Sequence, residues 1–134
     1  MRFLLVPGNN SLSHLAKCLA LESSLTSRGH RVVVAVSRGR VGFVRGRGVE
    51  YRILPDIQES DEAAFPTVAW FNRPNRIAEC ISSEVDLMKE IRPDRVLGVF
   101  RFTLKASARL AGIPFDSLTC GCMLSRFPEV LGFA

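Results

Sequence analysis

VPGNNSLSHLAKCLAL, residues 6–21, passes from the end of an apolar run through a turn of small residues into helical spacing. The run it closes, RFLLVP, is continuously apolar after Arg2, as expected of a parallel strand covered on both faces. Gly8, Asn9, Asn10 and Ser11 supply turn chemistry and candidate helix N-caps. Leu15, Cys18, Leu19, Glu22 and Leu25 then recur at helical period, all apolar except Glu22. Arg28 and Gly29 end that helix with positive charge and a C-cap glycine. RVVVAVS, residues 31–37, is β-branched and continuous, a second buried strand. Strand, glycine turn, helix and strand within 37 residues make a βαβ unit, whose crossover should be right-handed.

The pattern continues outward from that unit. Phe43 and Val44 mark a short helix in the next connection, and VEYRIL, residues 49–54, reads as a third strand before Pro55. Residues 56–73 read as a loop with a short helix near 61–65. Residues 75–91 form the clearest second helix: Ile77, Cys80, Ile81, Val85, Met88 and Ile91 track one face, interrupted only by Glu84. DRVLGVF, TLKASARLAG and PFDSLT supply a fourth strand, a third helix stopped by Gly112, and a fifth strand. The expected class is α/β: a Rossmann-like open parallel sheet of about five or more strands with helices on both faces. Lacking repeat, linker or low-complexity tract, residues 1–134 read as a single Rossmann-like domain.

Composition supports a folded chain. Of 134 residues, 47% are hydrophobic and 23% charged, the balance of a globular protein. MRFLLVPGNN is too short in apolar residues for a signal peptide or a spanning helix, so the expectation is a soluble, cytoplasmic protein. Cys18 and Cys80 fall within helical patterns, and Cys120 and Cys122 form C-G-C with no second pair, so free thiols are expected rather than a metal site. The net charge of +5 is concentrated in residues 38–52, where Arg38, Arg40, Arg45, Arg47 and Arg52 meet only Glu50. That run is either a solvated connection or a holder of an anionic membrane surface or a protein partner. No nucleic-acid-binding signature accompanies it, and no nucleic-acid partner is expected.

A doubly wound sheet suggests a nucleotide, but the first turn offers Gly8 alone where pyrophosphate binding needs G-x-G-x-x-G. G-x-x-x-x-G-K-[ST] is absent as well, so NAD and ATP sites are not expected in this chain. His14 has a more suggestive position, at the first helical turn beside the carboxyl ends of the strands, where open α/β sheets bind ligands. Positive partial charge at a helix start favours neutral imidazole, the form that accepts a proton, by ~0.3–1 kcal/mol. From the residues alone two readings stand: a general base, or a polar residue at a helix start. The enzymatic one requires the imidazole to project into an open crevice at the sheet's carboxyl edge.

V-P-G-N-N-S-L-S-H, followed by L-x-x-x-L-x-x-R-G-H-x-V over residues 21–32, resembles the N-terminal half of family-1 glycosyltransferases of the GT-B fold. R-P-D-R-V-L and then S-A-R-L-A-G-I-P, residues 107–114, look like that family's fourth strand, following helix and fifth strand. The resemblance runs from Met1 to about Thr119. It implies two Rossmann-like domains facing each other, this one for the hydroxyl acceptor and a missing C-terminal one, in cis or in trans, for a nucleotide sugar. It implies that a histidine after the first strand, here His14, deprotonates the acceptor, with inversion at the sugar carbon. An aspartate at the end of the fourth strand often orients that histidine; Val99 stands at that position here, and Ser13 replaces the usual glycine before the histidine. The chain alone is expected to be inactive.

Gly8, Ser11 and Ser13 would shape the surroundings of His14, and Phe65, Trp70, Phe71 and Phe102 could line a cleft for an apolar acceptor, with Trp70 and Phe102 taken as binding residues. Each aromatic also has an ordinary packing role open to it. CMLSRFPEVLGFA, residues 122–134, is a candidate apolar surface through which two copies could pair. No G-x-S-x-G elbow or third triad member supports an independent serine hydrolase.

Overall fold

Alternating apolar segments with two different periods leave the backbone little choice but to layer helices on a sheet. A computed structural model describes residues 1–57 and 73–119. Its strands are β1 (Arg2–Pro7), β2 (Arg31–Val36), β3 (Tyr51–Ile53), β4 (Arg95–Val99) and β5 (Phe115–Leu118). Its helices are α1 (Leu12–Ser27), α2 (Pro74–Ile91) and α3 (Leu104–Ala111), with a 3-10 helix at Arg38–Phe43. The five strands are all parallel, in the order β3-β2-β1-β4-β5.

β1 lies at the centre, and its period of two divides the core. Leu4 and Val6 pack with Val33, Ala35 and Val96 under Leu87, Met88 and Ile91 of α2 and Leu104 and Ala108 of α3. Leu5 turns the other way, with Val32, Val34, Val36 and Val99, against Leu15 and Cys18 of α1 and against Val41 and Val44. Covering both faces explains why these strands carry unbroken apolar runs. Burying each such side chain contributes ~1.5–3 kcal/mol.

The third strand is shorter than the sequence suggests: Tyr51–Ile53 is in register with Val34–Val36, and backbone hydrogen bonds at the Glu50 carbonyl and the Leu54 N–H close its two ends. The helix expected around Phe43 and Val44 is the 3-10 turn ending at Phe43. α1 stops where a glycine was expected to stop it: Gly29 takes φ +85, and its N–H donates to the carbonyl of Thr26. The helix expected near 61–65 lies outside the described residues.

Glu84 departs most from its sequence reading. It occupies the apolar stripe of α2 and is fully buried. Its carboxylate accepts hydrogen bonds from Arg101 Nε (2.6 Å), Thr103 Oγ1 (2.6 Å) and the Ser107 hydroxyl. What looked like an interruption of the face is the anchor of a polar network that ties α2 to the β4–α3 connection and the start of α3.

Candidate functional site

Two turns meet at the carboxyl edge of the sheet, one leaving β1 and one leaving β4. The Gly8 N–H donates to the Val99 carbonyl at 2.8 Å, holding the two turns together. A Cβ on Gly8 would lie 2.2 Å from the Phe100 carbonyl oxygen, so only glycine fits. Phe100 itself sits at φ +54, an uncommon conformation for a bulky residue. The turn glycine thus serves the close approach of β4's exit and not of a phosphate.

Past this turn the chain enters α1. Ser11 is the N-cap; its hydroxyl accepts the Ser13 N–H at 3.2 Å and lies 2.8 Å from the Ser13 hydroxyl. Asn9 points the other way: its side-chain oxygen accepts from Ser37 at 2.8 Å and from Arg40 Nε at 2.9 Å. A cavity of about 10 Å³, room for about one water, lies between Pro7, Gly8, Asn9, Ser11, Ser37 and Arg40.

His14 stands at the carboxyl edge, as expected, but not in an open crevice. It is only 6% exposed, and its ring stacks on Phe100 with centroids 4.6 Å apart and planes 2° from parallel. Nδ1 is buried without a hydrogen-bond partner. Burial pushes the His14 pKa below the ordinary 6.5, the backbone of Gly8 opposes that shift, Lys17 adds to it, and Asp56 opposes it. The imidazole is therefore held neutral, able to accept a proton, with an aromatic face where a carboxylate was looked for.

Val99, at the aspartate position implied by the resemblance, is fully buried among the residues facing α1. Asp94, at the opposite end of β4, accepts the Arg2 backbone N–H. The carboxylate that does reach the site comes from elsewhere. Asp56, just past β3, is buried; it accepts the Asn9 N–H at 2.7 Å and the Ile57 N–H at 2.6 Å. It also pairs with Arg101 Nη1 at 3.0 Å, and Arg101 joins it to Glu84.

Asp56, Arg101 and Glu84 were not singled out from sequence. The available signal was Glu84, a charge at a core-facing helical position, which demands a buried partner. Phe102 is 47% exposed and meets Phe100 edge-on at 6.2 Å. Together with Phe100, Lys105, Phe115 and Ser117 it borders an open groove of about 550 Å³. Neither this groove nor the small cavity is lined by His14. Trp70, Phe65 and Phe71 lie outside the described residues, as do Cys120, Cys122 and the C-terminal apolar stretch.

The arginine run is not one uniform face. Arg40 turns in to Asn9, and Arg52 pairs with Glu50 and Glu90. Arg38, Arg45 and Arg47 remain exposed, on a connection whose Phe43 is 40% exposed. Among the described residues no helix is long and apolar enough to cross a membrane.

No protein-family model matches the chain, and no curated protein matches it. Solved structures do. The glycosyltransferase SsfS6 of Streptomyces sp. SF2575, complexed with thymidine diphosphate, is similar over 87% of this chain and 38% of its own, at 23% identity and a TM-score of 0.67. The glycosyltransferase VinC, in complex with DTDP, matches 99% of this chain and 38% of its own, at 18% identity and a TM-score of 0.69. MurG of Acinetobacter baumannii matches 87% and 33%, at 17% identity and 0.65. This chain has the fold of a GT-B glycosyltransferase domain. The match spans 33–38% of the length of these proteins.

Proposed function

We propose that the chain is the acceptor-binding portion of an inverting glycosyltransferase, which moves a sugar from a nucleotide-sugar donor to a hydroxyl acceptor. The observation that carries this reading is the fit of the sheet to GT-B structures together with a neutral histidine at the carboxyl end of β1. The donor half, joined to this chain or separate, would hold the nucleotide sugar, and this chain alone would not transfer it. His14 is the residue with the chemistry of a base. The ring is packed on Phe100 and not open to a crevice, so on this reading it must swing clear of Phe100 before it can take the proton of the acceptor hydroxyl. Phe100 and Phe102 offer apolar contact beside it.

Two measurements test this. Binding of hydroxylated apolar ligands to the chain is expected without any nucleotide sugar; silence across a broad panel overturns acceptor binding. With a donor domain supplied, His14→Ala should lower kcat by ~10²–10⁴-fold, the usual worth of a general base. A loss of less than about threefold removes His14 from catalysis.

A second reading is favoured by the exposure of Arg38, Arg45 and Arg47 beside Phe43: a module that docks on an anionic lipid surface. It is compatible with the first, since the 3-10 helix leaves β2 at the same edge of the sheet as His14.

A further inference from the structure

His14 is gripped between the turn leaving β1 and the turn leaving β4, and one buried carboxylate binds both turns. Asp56 accepts the backbone N–H of Asn9 on the first and the guanidinium of Arg101 on the second. Arg101 directly follows Phe100, the residue whose ring covers His14 and whose φ of +54 must be imposed by its surroundings. The imposition is visible: Arg101 is clamped by Asp56, by Glu84 Oε1 at 2.6 Å and by the Pro55 carbonyl at 2.6 Å. These side chains come from the β3 exit, the β4 exit and α2, so three elements converge on the placement of a single ring.

The charges are unequal. Among the described residues two buried carboxylates, Asp56 and Glu84, share the buried Arg101 guanidinium, while Arg76 donates Nε to the Asp56 carbonyl at 3.0 Å and Nη1 to Glu79. With all of these ionised, Asp56, Glu84 and Glu79 stand against Arg101 and Arg76, one negative charge in excess. On the ring's own helix the charge that acts on His14 is Lys17, one turn on, which opposes protonation; from the other elements it is Asp56, with Arg101, Glu84 and Arg76 behind it.

We propose that Asp56 is the positioning residue of the His14 site: it fixes the two turns that grip the ring, and it supplies the negative charge that an imidazolium there needs and that Val99 cannot provide. The catalytic meaning of this assignment rests on the base reading of His14, but the geometry does not. In the full reaction Asp56 would act through His14 and the Phe100 turn, without touching the acceptor.

The test is NMR titration of the two imidazoles, with His30, beside the N-terminal amine at the other end of β2, as the internal reference. Asp56→Asn keeps an acceptor oxygen for Asn9 and loses the charge. Its His14 midpoint should fall by about 0.5 pH unit or more, with His30 unmoved. Glu84→Gln leaves Arg101 to neutralise Asp56 more completely and should move His14 the same way, by less. Asp56→Ala removes charge and anchor together; the ring is released from Phe100, loses its ring-current shift, and its midpoint rises towards the ordinary histidine value. Asp56→Glu should restore most of the wild-type midpoint.

A His14 midpoint in Asp56→Asn within about 0.2 unit of wild type, or above it, overturns the proposal. If Asp56→Asn does not fold, Glu84→Gln decides: an unmoved or raised midpoint overturns it there. Failure of this assignment is separable from failure of the base reading. An unmoved midpoint with activity still lost in His14→Ala strikes Asp56 alone, whereas a shifted midpoint with His14→Ala fully active strikes only the base.

Discussion

Gly8 shows how a residue can be correctly placed in sequence and its client misjudged. The run RFLLVPGNN marks a turn after a strand, and the turn is there. Its glycine is required by the Phe100 carbonyl, 2.2 Å from where a Cβ would sit, and that neighbour lies 92 residues on. No local pattern could have named it. Gly8→Ala should therefore destabilise the chain by ~2 kcal/mol or more, because backbone and not a flexible side chain must yield. Urea unfolding measures this, and a loss under about 0.5 kcal/mol would mean that the two turns separate easily. His14 adds a pH dependence. Its folded pKa lies below the unfolded value of 6.5, so between the two the unfolded chain binds a proton that the folded chain refuses. Stability should fall as pH drops below about 6.5 through that window, and His14→Gln should flatten this part of the profile. An identical slope in the variant would show that other groups carry it.

At the scale of elements, helix and strand identity were legible because apolar period is set locally, and β1, α1, β2, α2, β4, α3 and β5 lie where the pattern puts them. β3 was overread. Val49 continues the alternation, but the hydrogen bonds to β2 run only from the Glu50 carbonyl to the Leu54 N–H, with Tyr51–Ile53 in register. The polar network on α2 was hidden for a different reason. Glu84, Arg101, Thr103 and Ser107 are scattered through the sequence, and only the packing of α2 against α3 brings them together. Glu84→Ala leaves Arg101 paired with Asp56 but strips Arg101 Nε and the Thr103 and Ser107 hydroxyls of their buried acceptor, and should cost ~1–3 kcal/mol or more. Glu84→Leu with Arg101→Met takes the guanidinium from buried Asp56 and should cost more than Glu84→Ala alone. A double variant as stable as Glu84→Ala would show that the Asn9 and Ile57 N–H groups satisfy Asp56 without the guanidinium. The arginine connection makes a prediction of its own. Exposed Arg38, Arg45 and Arg47, worth ~1 kcal/mol each near an anionic surface, should give vesicle binding that weakens with salt and drops ~10²-fold when all three become serine. Binding that ignores salt, or survives the triple change, removes the lipid reading.

At the scale of the molecule, the sheet separates two apolar layers and a thiol reports on each. Cys18 lies under α1 with the layer containing Leu5 and Val34. Cys80 lies fully buried on α2, its thiol 3.6 Å from the Pro55 carbonyl. Burial pushes the first pKa up to about 12 and the second to about 11, so neither forms the reactive thiolate at neutral pH while folded. With Cys120 and Cys122 replaced by serine, these two are the remaining thiols. Because β1 contributes alternate residues to both layers, loss of one layer removes the floor of the other. Cys18 and Cys80 should therefore be labelled by a thiol reagent through the same opening, with equal free energies and equal dependence on denaturant. A Cys80 that labels at lower denaturant would place α2 and the network beneath it in a separate, weaker unit. That outcome would also bear on the site, since the grip on His14 would then open without the sheet.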